Sequence, residues 1–137
     1  MVLRFLSAFY GGMKSVSSGF YFNWGMTYAR WGQPMKALFY LNRAAKLNNK
    51  GGHIFYQRAL LLIAMGQPQS AIYDFDTAIG ANPEHMEAYL NRSMMYALIG
   101  RPEKAQDDVE KAVALGADRP SLETSIAELQ DQAESGA

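Results

Sequence analysis

The sequence contains no cysteine, which rules out disulfides and thiolate metal sites and leaves the redox compartment unreadable. Histidine is almost as scarce. His53 and His85 are the only two, and at 32 residues apart they have no metal-ligand spacing. Asp74 and Asp76 point to different sides of a helix, and Asp107-Asp108 reads as a solvated outer face. No glycine-rich loop leads into a lysine-bearing helix, and Gly51-Gly52 reads as a turn. No apolar run approaches the ~20 residues needed to cross a bilayer. Together these absences argue against an enzyme, and neither a metal nor a cofactor is expected.

Acidic residues are missing from the first half of the chain: none occurs before Asp74. The net charge of zero therefore hides a split. Residues 1–73 carry eight basic residues, and residues 74–137 carry thirteen acidic and five basic ones. Such asymmetry suggests an electrostatic partner for one end of the molecule.

What the chain does have is a period. Gly32-Gln33-Pro34, Gly66-Gln67-Pro68 and Gly100-Arg101-Pro102 follow one another at 34-residue intervals. Each proline is followed by an alanine three residues on (Ala37, Ala71, Ala105) and another seven beyond that (Ala44, Ala78, Ala112). Self-similarity at a fixed period of this length marks a repeat architecture.

Residues 1–17 form an N-terminal amphipathic segment, with Phe5, Leu6, Phe9, Tyr10 and Met13 at helical spacing and Gly11-Gly12 interrupting. Packing on the first repeat, an interfacial membrane helix, disorder and a cleaved signal all remain open for it. Three helical hairpins follow, over 18–51, 52–85 and 86–119. Ser18 is the expected N-cap of the first helix, which spans about 19–31. Phe20, Tyr21, Trp24, Gly25 and Tyr28 share one of its faces, and its other side is also apolar, so both sides are expected to be covered. The second helix covers 35–47, then 53–65, 69–80, 86–99 and 103–115. Gly32 suits a left-handed helix end, and Pro34 suits a first helical turn. Residues 120–137 give a last helix over 120–134, with Asp118 as its cap, and a short tail. Leu122, Ile126 and Leu129 form its one narrow apolar stripe, which fits a solvating end unit.

The aromatic, small, aromatic, Gly, Ala, large, Ala and Pro positions of the second repeat are Phe55, Ala59, Leu62, Gly66, Ala71, Phe75, Ala78 and Pro83. The first repeat supplies Tyr21, Gly25, Tyr28, Gly32, Ala37, Leu41 and Ala44, and the third Tyr89, Ser93, Tyr96, Gly100, Ala105, Val109 and Ala112. Asn49 and Ala117 depart from the usual proline. The pattern resembles the tetratricopeptide repeat family over residues 18–119. The resemblance implies an all-α, right-handed superhelical solenoid of three helical hairpins with a C-terminal capping helix. It also implies a non-enzymatic scaffold whose first helices line a concave groove for a peptide or partner helix.

By that geometry the groove holds Phe22, Met26, Ala29 and Arg30 from the first repeat. The second gives His53, Tyr56, Leu60, Ile63 and Ala64, and the third gives Glu87, Leu90, Met94, Ala97 and Leu98. Asn23, Gln57 and Asn91 lie beside them. One branch of the family grips peptide carboxylates with cations at groove positions. The matching residues here are Phe22, Met26, Gln57, Glu87 and Asn91, so that clamp is absent. The expected partner is instead an apolar or amphipathic protein segment, with filling by the chain's own N-terminus or a second copy as the alternative. An adaptor, a co-chaperone-like protein or an assembly factor would fit.

The basic half gives a second reading. Lys36, Arg43 and Lys50 recur at seven-residue spacing with Lys46 nearby, and Arg4 and Lys14 lie upstream. These residues suit an anionic membrane surface or an acidic protein surface. Nucleic acid is disfavoured, because no base-stacking aromatics are interleaved with them. The expected location is cytoplasmic, with a membrane-peripheral scaffold as the alternative. A third reading is self-association, the basic end of one copy meeting the acidic end of another as a homo-oligomer.

Overall fold

The structure, a computed structural model, describes residues 17–136. They form seven helices and no strand: α1 (17–30), α2 (Pro34–Leu47), α3 (Gly52–Ala64), α4 (Pro68–Ala81), α5 (Met86–Leu98), α6 (Pro102–Ala114) and α7 (Arg119–Ser135). Successive pairs make three hairpins stacked in chain order, and α7 lies against α5 and α6.

Every hairpin turn has the same construction. Gly32, Gly66 and Gly100 take left-handed backbone angles (φ 68°, 73° and 77°), which a side chain would strain. The amide of each donates to the carbonyl three residues back, and the next amide reaches the carbonyl five residues back, as in Gln33 N–H to Tyr28 O at 2.9 Å. Proline then opens the following helix, where its missing N–H costs nothing. Gly116 repeats the device before α7 (φ 113°). Asp118 caps α7 as expected, accepting from the Ser121 amide at 3.0 Å. Ser18 does not cap α1. It lies within the helix, buried, and its hydroxyl donates to the Ala44 carbonyl at 2.9 Å, tying α1 to the last turn of α2.

Small residues set the spacing inside each hairpin. Ala37, Ala44, Ala59, Ala71, Ala78, Ser93, Ala105 and Ala112 are all buried, around Leu41, Phe75 and Val109. A Cβ on Gly25 would sit 2.8 Å from Cγ of the fully buried Leu41 and 3.3 Å from the Ala37 carbonyl oxygen.

Charge ties the repeats together. Arg58 of α3 donates Nε and Nη2 to both oxygens of buried Asp74 on α4, each at 2.7 Å, while its Nη1 reaches Asn42 on α2 at 3.1 Å. One period later Arg92 pairs identically with Asp108 at 2.7 Å and reaches Asp76 at 2.6 Å. Hydrogen bonding to Asp108 pushes the Arg92 guanidinium pKa up in spite of its desolvation. The next acceptor in the series, Glu110, takes two bonds from Arg119 of α7 at 2.8 and 2.7 Å. Those bonds hold the Glu110 carboxyl down at about 2. Asp108 is therefore not part of a solvated face: it is 3% exposed, and only its neighbour Asp107 faces water.

Two stability measurements follow. Gly25→Leu should destabilise the protein by roughly 1–3 kcal/mol through overpacking against Leu41 and Ala37. An unchanged thermal melt would contradict that packing. Asp108→Ala, which strands most of the Arg92 guanidinium, should cost on the order of 3 kcal/mol in denaturant unfolding. Asp107→Ala should stay within about 0.5 kcal/mol.

Candidate functional site

The first helices of the three hairpins, α1, α3 and α5, carry the predicted groove residues, and side-chain contacts run from one helix to the next. The Phe22 ring meets His53 edge to face at 5.0 Å. On α3, Tyr56 lies 4.4 Å from His85 at the start of α5 and 5.9 Å from the buried Phe75. Leu60, Ile63, Met94 and Leu98 are all half-buried around one cluster that includes Ala59, Leu62, Phe75 and Met95. Leu90 packs on the next cluster, with Tyr89, Val109 and Leu122. Met26 is half-buried and Arg30 is exposed, with no ion pair to it among the described residues. Ala97 is 3% exposed and borders a recess shared with Gln130, Ala133 and Glu134 of α7.

The polar groups of this face answer one another. Asn91 donates to the Glu87 carbonyl at 2.8 Å and more loosely to the Tyr56 hydroxyl at 3.4 Å. The Glu87 carboxylate stands 3.7 Å from His85 Nε2. Burial raises the Tyr56 pKa above its ordinary 10.0, the Glu87 charge raises it further, and the Asn91 hydrogen bond opposes both. The Tyr56 hydroxyl thus stays protonated at neutral pH. Among the described residues no group of three or more histidine and acidic side chains is placed to hold a metal ion.

Several recesses lie away from this face. One of about 530 Å³ is lined by Leu38, Asn42, Arg58, Leu62, Tyr73 and Asp74, above the arginine pair. Another, of about 490 Å³, is bordered by Tyr21, Phe39, Arg43 and Lys46. A third, of about 650 Å³, brings Leu98 and Ile99 of the α5 end against Gln130, Ala133 and Glu134 of α7. Ala97 and Leu98, both at the third recess, are the predicted groove residues that line any of the three.

The predicted basic residues of α2 and its exit, Lys36, Arg43, Lys46 and Lys50, are all exposed. Lys36 Nζ lies 5.3 Å from the Tyr28 ring, and the Arg43 guanidinium lies 5.0 Å from Phe39 and 5.6 Å from Tyr21. Arg4 and Lys14 lie outside the described residues. No helix among the described residues is long and apolar enough to cross a membrane.

The aromatic face expected on α1 continues onto α2 through Phe39 and Tyr40, which the sequence reading did not foresee. Tyr28 and Tyr40 stack at 5.3 Å, Trp24 stacks on Tyr40 at 6.3 Å, and Trp31 meets Tyr28 edge to face at 5.6 Å. Phe20, Trp24, Trp31, Met35 and Phe39 are 57%, 39%, 61%, 69% and 52% exposed. Among the described residues none covers this face. The signal was in the sequence, because Trp24 and Tyr40 hold the positions taken by Arg58 and Asp74, and by Arg92 and Asp108, in the later repeats.

The tetratricopeptide repeat family model matches residues 18–50, 52–85 and 87–117. Curated proteins give no match. Among solved structures, the chain is similar to the Arabidopsis OM64 TPR domain at 21% identity, covering 87% of this chain and 98% of that one with a TM-score of 0.75. It is similar to the first TPR of Spaghetti (RPAP3) bound to the HSP90 peptide SRMEEVD, at 17% identity over 88% of this chain and 95% of that one, TM-score 0.75. It is also similar to YrrB, a TPR protein with an unusual peptide-binding site, at 26% identity over 80% of this chain and 56% of that one, TM-score 0.71.

The Tyr56 environment gives a measurable test. Glu87→Gln should lower the Tyr56 titration midpoint toward 10, and Asn91→Ala should raise it, as read by ultraviolet difference absorbance against a Tyr56→Phe control. Equal midpoints in all three chains would mean the cluster is not assembled in solution.

Proposed function

Since the chain belongs to the tetratricopeptide repeat family, we propose that it is an adaptor or assembly factor holding an apolar or amphipathic segment of another protein along α1, α3 and α5. At the family level it is a non-enzymatic protein-interaction module. The observation that supports the finer reading is the composition of that face. Leu60, Ile63, Leu90, Met94 and Leu98 are half-buried around the core clusters and keep part of their surface open. Methionine adds an adaptable contact. Arg30 is the single cation in the predicted set, and Glu87 adds the opposite charge. The Spaghetti domain holds a peptide ending in acidic residues. Such a tail would find no cluster of donors here, and charged acceptors gain most from clustered cations.

A second reading is favoured by one observation: Lys36, Arg43, Lys46 and Lys50 are all exposed, and no carboxylate occurs in residues 1–73. That surface suits an anionic membrane, each cation near it contributing about 1 kcal/mol. Self-association of the basic end with the acidic end of another copy follows from the same charge split.

A binding panel of amphipathic helical peptides and of peptides with acidic C-termini tests the first reading. Amphipathic peptides should bind and acidic tails should not. Leu60→Glu or Met94→Glu should weaken amphipathic binding by more than about tenfold, ~1.4 kcal/mol, because the complex would bury an unpaired carboxylate. Circular dichroism should show helicity retained. Binding that survives both substitutions would place the site elsewhere, and sedimentation with anionic vesicles at low and high salt reads the second.

A further inference from the structure

We propose that the N-terminal residues of this chain, within 1–16, occupy the exposed aromatic edge of α1 and α2, in the place a preceding repeat's second helix would take. This does not rest on the groove reading, because the edge and the groove are different faces.

The register of the repeats carries the argument. Phe20 stands where Ile54 and Ala88 stand in the later repeats. Ile54 and Ala88 are 1% and 0% exposed, and Ile54 is buried in a cluster with Ala44 and Ala45 of the preceding α2. Trp24 stands where Arg58 and Arg92 reach back to Asn42 and Asp76 on the preceding hairpin. Phe20 and Trp24 are thus exposed at positions whose counterparts contact the preceding hairpin in the other two repeats, whereas the counterparts of Met35 and Phe39 are exposed there too. An exposed patch with two tryptophans, two phenylalanines and a methionine marks a surface built to be covered.

The upstream sequence fits this place in register and chemistry. One 34-residue period before Asn42 is Ala8. In the later repeats that position supplies an oxygen acceptor to an arginine. In the first repeat the arginine is Trp24 and its intrahairpin carboxylate is Tyr40, so no acceptor is required. All three members of the polar triad have been exchanged together, and small Ala8 would leave room for the large indole. Phe5, Leu6 and Phe9 supply apolar side chains beside the small Ala8. The upstream residues also bring no carboxylate to a surface already bearing Lys36 and Arg43.

The full chain can be tested directly, because its only two tryptophans, Trp24 and Trp31, both lie on this edge. Acrylamide quenching of their fluorescence should increase, and the emission shift to the red, when Phe5→Glu and Phe9→Glu are introduced together. Helicity and the melting of the repeats should stay close to wild type. The chain has no cysteine, so Ala8→Cys carries a single nitroxide, which should broaden the indole N–H resonances of both tryptophans in a dilute, lipid-free sample. Unchanged quenching in the double variant, or indole resonances left sharp, would overturn the proposal. Protection that rises with protein concentration would instead assign the edge to a second copy. Protection that appears only with anionic vesicles would assign it to a membrane.

Discussion

The arginine that joins Asn42 to Asp74, and its counterpart one period later, fixes more of this molecule than any other interaction. A repeat stack must satisfy two requirements at once: the two helices of a hairpin must hold their separation, and each hairpin must sit at one angle on the last. Alanine and glycine packing answers the first. It is permissive about the second, since small residues allow helices to slide. A planar guanidinium with three acceptors at 2.6–3.1 Å is not permissive. The pair is deep enough that Asp74 and Asp108 are almost fully buried, so losing either partner leaves an uncompensated charge. Such pairs serve register better than raw stability.

The ends of the stack are where this device has to stop. At the C-terminal end Arg119 enters from α7 and takes both oxygens of Glu110, so the last acceptor is not left over. Leu122, 4% exposed, supplies the apolar contact with Ile126 packed beside it, and most of the rest of α7 is polar. At the other end the charge is removed altogether and replaced by the stacked rings of Trp24, Tyr28 and Tyr40. The last described helix is largely wet on its outer side, and the first hairpin presents an aromatic wall.

Much of this could be read from the sequence, for a physical reason. Turn glycines, first-turn prolines and buried alanines each answer a local steric demand, so they recur with the period and reveal the hairpins. The boundaries fell within two residues of those expected. Ser18 was misread because its hydroxyl serves a carbonyl 26 residues away instead of its own helix. Asp108 was misread because burial is decided by a partner on another helix, although Arg58 with Asp74 and Arg92 with Asp108 recur at one offset. The all-round apolarity of α1 implied a helix covered on both sides, and that inference needs a cover which local sequence cannot place. For the groove, the contacts between Phe22 and His53 and between Tyr56 and Asn91 join neighbouring first helices. Which partner lies along them is set by groups outside the chain.

The recurrence of the arginine contacts also makes the hairpins interchangeable in a definite sense. The junction between the second and third hairpins offers a donor, a buried carboxylate and a second acceptor, and the unit from Gly52 to His85 carries one copy of each. Duplicated at that junction, the unit would find an oxygen waiting for its guanidinium and would leave Asp76 for the next one. The junction after the first hairpin differs only in offering the neutral amide of Asn42. The stack can therefore lengthen from within by whole units while its two dissimilar ends stay as they are. An increment of any other length would set each guanidinium against the wrong side of its neighbour.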